Sequence, residues 1–373
     1  MQAEIVSIGN ELLLGATLNT NATFLSRELN QRGFPVHRHI VLPDSQKAIQ
    51  HGLREALQRV SLVIVTGGLG PTLDDVTQEA VAGLFLGEPK ELKNRIGTAP
   101  GFLYATAGKA LFLLPGVPRE MEKMFFDEVL PWMQKHFLPK KQFCDTFSLC
   151  FFNESEIDPF LRDLKEEHPE VESGIYPAMG TLQVVLRSDR PMDGAMKKFE
   201  DKFPTYLFRE KKIEEAVHRE LIGAKKTLGL AESCTGGAIA ARLTSLPDAS
   251  YYLRGSIVSY SNDWKERFLR VSSETLSEHG EVSVQVAQAM IDGIFSETDV
   301  DYAIAVTGIA GPTGGTSENP VGTIYIGIGK RGERSDIGKI QASRDRTSAI
   351  DMAVQWSLSA LWRRLVHNTP TFT

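Results

Sequence analysis

The chain has 373 residues, 42% of them apolar and 24% charged, with a net charge of −6. That length exceeds one ordinary core and predicts two or three domains of a soluble globular protein. The mild acidity leaves no electrostatic footprint for nucleic acid or an anionic membrane. No apolar stretch is long enough to span a bilayer, and the N-terminus reads as a short strand rather than a signal peptide. The three cysteines, Cys144, Cys150 and Cys234, are unpatterned and indicate neither a disulfide framework nor a zinc site, so a reducing cytoplasm is the expected location.

The first segment alternates strands and helices. Ala3 to Ile8 is strand-like, Asn21 to Arg32 helical, Val36 to Leu42 strand-like and Ser45 to Arg59 helical. Ser61 to Thr66 is apolar enough to lie inside a sheet covered on both faces, which predicts an α/β layered domain. The loop that follows, Thr66-Gly-Gly-Leu-Gly-Pro-Thr-Leu-Asp-Asp-Val-Thr77, leads into a helix expected over Thr77 to Phe85. Gly67, Gly68, Gly70 and Thr72 would offer backbone N–H groups to an anion at a strand's carboxyl end, with Asp74 and Asp75 as carboxylates for Mg²⁺. A tight turn with acidic residues near a helix start explains the same features.

The second segment changes character. A strand over Phe143 to Phe152, an amphipathic helix over Glu154 to His168, a strand pair at Ser173 to Pro177 and Thr181 to Ser188, and a helix near Met192 to Lys202 read as a small α+β unit. It has no Gly-x-x-Gly loop to clamp a nucleic-acid backbone and reads as a structural spacer. Arg209 to Lys212 reads as a solvated connection to a helix over Ile213 to Ile222.

Three strand ends in the third segment offer polar side chains beside glycines. An apolar run from Lys226 turns at Glu232-Ser-Cys-Thr-Gly-Gly237 into a helix over Ala238 to Leu246. Gly255 to Tyr260 reads as a strand, followed by Ser261-Asn262 and a helix starting near Lys265. Tyr302 to Thr307 reads as a strand running into the Gly308 turn, with a further strand over Val321 to Gly329. Sites on α/β scaffolds are built at such carboxyl edges. Ser233 reads either as a helix N-cap or as a nucleophile. With Lys265 as base, the set Ser233, Tyr260, Lys265, Thr307 and Arg346 makes sense as an amidohydrolase, with Cys234 or the Gly308 turn supplying an oxyanion donor and Arg346 gripping a phosphate. Lys265 reads equally as a surface lysine, and Cys234 as a rival nucleophile or a small buried hydrophobe.

These motifs carry a resemblance. Ile8-Gly-Asn-Glu-Leu-Leu-Leu-Gly15, Leu42-Pro-Asp44 and the Gly67 to Thr77 loop resemble the molybdopterin-binding fold of the MoaB and MogA proteins. With Gly97-Thr-Ala-Pro-Gly-Phe102 and Leu114 to Met121 they look more like the N-terminal domain of the CinA family. That resemblance implies a metal-dependent ADP-ribose pyrophosphatase using Mg, Mn or Co, with Asp44 and Asp75 at the metal. The chain crosses the stretch between Gly87 and Gly97 without the family's longer insertion and carries Asn10 for its usual threonine, which keeps a binding-only or vestigial domain as the alternative. The middle segment resembles the family's KH-like domain. Ala231 to Gly237, Tyr260 to Lys265, His279-Gly-Glu-Val-Ser283, Val306 to Pro312 and Pro320 to Thr323 resemble its C-terminal domain, which also occurs alone as the PncC proteins.

The resemblance implies three parts: a three-layer MoaB/MogA-like α/β domain over 1–140, a small α+β KH-like domain over 141–210, and a three-layer α/β CinA-type domain over 211–373. It further implies cofactor-free hydrolysis of nicotinamide mononucleotide to nicotinate mononucleotide and ammonia, in NAD salvage. Ser233, Lys265 and Tyr260 would be catalytic, with Thr307, Arg346, Asn262, Gly308 and Gly236 around the substrate. A homodimer, no membrane and no direct nucleic-acid contact complete the expectation, with a competence or DNA-damage accessory role as the reading from another class.

Overall fold

In the computed structural model the described residues are 2–72, 75–82, 84, 88–106, 108–178, 180–342, 345–369 and 371–372. Asp74, the Phe85 end of the expected helix, Leu86-Gly87, Met179 and Ser343-Arg344 lie outside them. The chain divides into two compact units, Met1–Gln142 and Phe143–Thr373.

The first unit has strands β1 (Ala3–Ile8), β2 (Val36–Leu42), β3 (Leu62–Thr66), β4 (Lys90–Leu92), β5 (Gly101–Thr106) and β6 (Lys109–Leu114) in the order β2-β1-β3-β6-β5-β4. β2, β1, β3 and β6 are parallel, and the β5 and β6 pair closes as an antiparallel hairpin. Successive side chains of a strand face opposite ways. Ile5, Ile64 and Phe112 therefore pack with Leu25 and Leu29 of the helix Thr20–Gln31 and with Met121, while Val6, Val65 and Leu113 pack with Ile49 and Leu53 of the helix Gln46–Arg59. Both faces are covered, the three-layer arrangement that the apolar runs predict. Glu4 is the charged exception within β1; its carboxylate is wholly buried and accepts two N–H groups of Arg59, at 2.8 and 2.9 Å, pinning helix to sheet.

The second unit holds two sheets. β7 (Phe143–Cys150), β8 (Glu172–Ala178), β9 (Thr181–Ser188) and β10 (Leu207–Phe208) form an antiparallel sheet in the order β10-β7-β9-β8. The helices Glu154–Glu167 and Asp193–Lys202 bury Phe160 and Phe199 against Phe147. The first of these helices opens with a capping box between Asn153 and Glu156. β11 (Leu228–Glu232), β12 (Leu253–Val258), β13 (Tyr302–Gly308), β14 (Thr323–Lys330) and β15 (Asp336–Gln341) form the larger sheet in the order β12-β11-β13-β14-β15.

β12, β11 and β13 run parallel, so their carboxyl ends share one edge, and β14 and β15 return antiparallel. One face packs on the helices Ile213–Ala224 and Arg346–His367, the other on Val284–Glu297. The expected boundary between residues 210 and 211 runs through a shared core: Cys150 and Phe208 of the small sheet pack in the same cluster as Leu358 and Trp362 of the helix Arg346–His367. Phe151 meets Trp356 edge-on at 4.8 Å, and the Arg363 guanidinium lies 4.5 Å from the Tyr206 ring. Among the described residues no helix is long and apolar enough to cross a membrane.

Candidate active site

The parallel register sets the site. Glu232 pairs with Val258 on one side and Val306 on the other, so the next residues, Ser233, Ser259 and Thr307, emerge level at the sheet edge. The Ser233 N–H donates to the Val306 carbonyl at 2.9 Å and the Ser259 N–H to the Glu232 carbonyl at 2.8 Å, which extends the ladder one residue past the strands.

Ser233 is not the cap of the helix Ala238–Thr244. Gly237, with φ at +95°, stands at the N-cap without a side-chain bond, and the Glu232 carboxylate takes the N–H groups of Ile239 and Ala240, each at 3.0 Å. The same carboxylate accepts from the Ser256 hydroxyl at 3.0 Å. A wholly buried carboxylate needs such donors, and the helix's positive end supplies them. The Ser233 hydroxyl is thereby left to other work. An acidic residue within an otherwise apolar run was the signal for this arrangement, and sequence reasoning gave Glu232 no role.

Lys265 lies in the first turn of the helix Asn262–Leu269, yet it is only 2% exposed. Its Nζ donates to Ser233 Oγ at 3.2 Å and to the Ser259 carbonyl at 3.1 Å. Burial holds its pKa below the ordinary lysine value, against the fields of Glu281 and Cys234, which raise it. The Cys234 thiol, by contrast, is pushed up to about 12 by burial, so it stays protonated and disfavoured as a nucleophile.

A cavity of about 350 Å³ opens beside this pair, lined among others by Tyr260, Asn262, Thr307, Gly308 and Arg346. Arg346 opens the helix Arg346–His367 and donates to the Gly311 carbonyl at 3.0 Å and to the Tyr260 hydroxyl at 2.6 Å. The contact Tyr260 makes is thus with Arg346, which places it at the cationic wall. The Thr307 hydroxyl donates to the Glu281 carbonyl at 2.6 Å. Asn262 Nδ2 donates to the Glu281 carboxylate at 3.0 Å. Glu281, inside the quoted His279 to Ser283 motif but given no role, lines the cavity too. Gly308 is explained by packing, since a Cβ there would stand 2.7 Å from Ile324 Cγ1 and 2.8 Å from the Thr323 carbonyl. Gly236 is exposed and does not line the cavity; its φ of +61° shows a backbone requirement instead.

Residues 210–365 match the CinA C-terminal domain and residues 4–135 the probable molybdopterin binding domain. A CinA-like protein of Dictyoglomus turgidum is 35% identical, with 93% of this chain and 95% of that relative aligned. The chain belongs to the CinA family. Another member, a CinA-like protein of Kosmotoga olearia, is 35% identical across 98% of this chain and 99% of its own length. A putative competence-damage inducible protein of Alkaliphilus oremlandii is 32% identical across 99% and 100%.

The glycine loop of the CinA chain's first unit is arranged differently from the expected metal site. Asp75 Oδ2 accepts the Thr72 N–H at 2.9 Å and the Thr72 hydroxyl at 2.6 Å. Burial raises the Asp75 pKa, but these bonds, with one from the Gly70 N–H, hold it below the usual carboxylate value. Asp44 accepts the Asn10 N–H at 2.7 Å. Asp75 serves its own loop and Asp44 holds the backbone of the turn after β1, and among the described residues no three His, Cys, Asp or Glu side chains gather to hold a metal. One oxygen of each carboxylate is thus engaged by protein donors. A hollow of about 100 Å³ nearby is lined by Gly67 but not by Gly68, Gly70, Thr72, Asp44 or Asp75. Gly67 must be glycine, with φ at +102° and a Cβ position only 2.2 Å from the Ile8 carbonyl.

Proposed function

We propose that the second unit is an amidohydrolase that converts nicotinamide mononucleotide and water to nicotinate mononucleotide and ammonia. The observation carrying this reading is the buried contact between Lys265 Nζ and Ser233 Oγ at 3.2 Å. A buried lysine with a depressed pKa reaches its neutral form at lower cost, and in that form the contact reverses: Ser233 donates and the amine accepts.

Ser233 Oγ attacks the carboxamide carbon as its proton passes to Lys265. The tetrahedral oxyanion forms beside the Cys234 N–H, which has no backbone acceptor among the described residues. The carbon–nitrogen bond then breaks, the lysine ammonium protonates the leaving group, and ammonia departs from an ester on Ser233. Water, deprotonated by the same lysine, cleaves the ester and restores the serine. The Thr307 hydroxyl already donates its hydrogen bond to the Glu281 carbonyl, so it offers the cavity an acceptor, which suits the amide NH₂. Arg346, held by Tyr260 and Gly311 and in no ion pair with a described residue, suits the phosphate. No step requires a metal or cofactor. The volume of about 350 Å³ is at the lower end of the roughly 300–1,000 Å³ usual for small-molecule sites, in keeping with a mononucleotide.

The test is ammonia release from nicotinamide mononucleotide in the presence of EDTA. Release by the wild type, lost in Ser233→Ala, supports the reading; folded wild type that releases none overturns it. In the first unit one observation favours a ligand: Asn21, lining the small hollow, keeps a buried Oδ1 without a partner. Cleavage of ADP-ribose there is the second reading, and the engagement of Asp44 by the Asn10 N–H and of Asp75 by Thr72 weighs against it.

A further inference from the structure

Among the described residues lining the cavity beside Ser233, the lysine, arginine and carboxylate side chains are Lys265, Arg346 and Glu281, and none of them is ion-paired with a described residue. Lys265 is engaged with Ser233. The other two have opposite signs and rest on neutral supports. The Arg346 guanidinium is fixed by the Tyr260 hydroxyl at 2.6 Å, and the Glu281 carboxylate by Asn262 Nδ2 at 3.0 Å. Tyr260 and Asn262 each hold one of the two charges, and no ion pair joins Arg346 to Glu281. Separate, unpaired charges of both signs in one cavity complement a ligand that itself carries both.

We propose that Glu281 is a specificity-determining residue that selects a positively charged, N-alkylated pyridinium ring at the amide end of the cavity, while Arg346 takes the phosphate at the other. This rests on the amidohydrolase reading. The end at which Glu281 acts follows from its backbone. The Glu281 carbonyl holds the Thr307 hydroxyl at 2.6 Å, and Thr307 stands where the amide NH₂ is expected, so the ring bearing that amide lies beside residue 281. The carboxylate is held by Asn262 Nδ2, and Asn262, Glu281 and Lys265 line the same cavity.

The ring's charge can be removed without changing the amide, ribose or phosphate, by comparing nicotinamide mononucleotide with its reduced, dihydropyridine form. Affinities of both are measured by calorimetry on full-length Ser233→Ala and Ser233→Ala/Glu281→Gln proteins, so that turnover does not intrude. The Glu281-containing protein should bind the cationic ring about five-fold more tightly than the neutral one, a preference of about 1 kcal/mol at about 1.4 kcal/mol per tenfold. Glu281→Gln should erase that preference and leave the affinity for the reduced ligand unchanged. Equal losses on both ligands would assign Glu281 to the ribose hydroxyls and overturn the proposal, as would equal affinities before the substitution or no binding of either. Wild-type ammonia release without a ring-charge preference would sink this inference and leave the reaction standing; the preference without ammonia release would do the reverse.

Discussion

Lys265 Nζ lies 3.2 Å from Ser233 Oγ, and 32 residues of chain separate the two. Ser233 directly follows β11 and Lys265 lies on a helix that follows the neighbouring β12, so the contact exists only because β11 and β12 are parallel and in register. If this pair performs the amide chemistry, Ser233→Ala should lower ammonia release at least about a thousand-fold while calorimetric affinity for nicotinamide mononucleotide stays within a few-fold. A comparable loss of both would make Ser233 a binding residue.

The depressed pKa of Lys265 ties activity to pH and to stability. Activity should rise with pH through a lysine ionisation that lies below its usual value, and Lys265→Arg should abolish the activity rather than shift it. Because the folded pKa is lower than the unfolded one, the unfolded chain binds more protons between the two values, and stability rises with pH there. The stabilising share is complete above the unfolded lysine pKa and is lost as pH falls through the folded one. Lys265→Met should therefore melt higher than wild type at neutral pH, with the gap closing toward pH ~10.4. A gap that widened with rising pH would contradict the assignment.

Glu232 should matter to stability more than any other carboxylate of the site. Glu232→Ala leaves two helix N–H groups and the Ser256 hydroxyl without their acceptor in a buried setting and should cost about 3–5 kcal/mol in urea unfolding. Glu232→Gln keeps one acceptor oxygen and should fall between. A loss below about 1 kcal/mol for the alanine variant would show the cap to be replaceable.

Arg346→Ala should raise KM for nicotinamide mononucleotide about ten-fold or more and change kcat little, with Arg346→Lys between because a point charge replaces a planar fork. The phosphate-free nucleoside should be insensitive to either change. Equal effects on nucleotide and nucleoside would move Arg346 away from the phosphate.

Cys234 offers a check on the choice of nucleophile. With its thiol pKa pushed up to about 12, Cys234→Ala should retain activity within a few-fold and iodoacetamide should not inactivate the wild type at neutral pH. Loss of activity in both experiments would make the thiol the attacking group.

Periodicity alone located most elements. The helix expected over Asn21 to Arg32 is Thr20–Gln31, and the strand expected over Thr181 to Ser188 has those bounds, because burial of one face writes its period into the sequence. The sequence reads 141–210 and 211–373 as two domains; the packing of Phe151 on Trp356 and Phe208 on Trp362 joins them, and aromatic residues on two distant segments do not announce that they will meet. In the first unit, Asp75 turned toward Thr72 of its own loop, a local hydrogen bond that glycine spacing does not encode.

What the sequence by itself determined was the strand ends and the polar residues on them, since apolar runs stopping at Glu232-Ser233 and at Thr307-Gly308 mark where buried strands meet the surface. Which of those residues has a free hydroxyl, a lowered pKa or an unpaired charge was decided only by tertiary structure. Ser233 is released because Glu232 caps the helix, Lys265 is depressed because its helix buries it beside Ser233, and Glu281 lines the cavity with its carboxylate held by Asn262. Each depends on burial and on partners distant in the chain, and the energy of an ionisable group is set by those surroundings rather than by its neighbours in sequence.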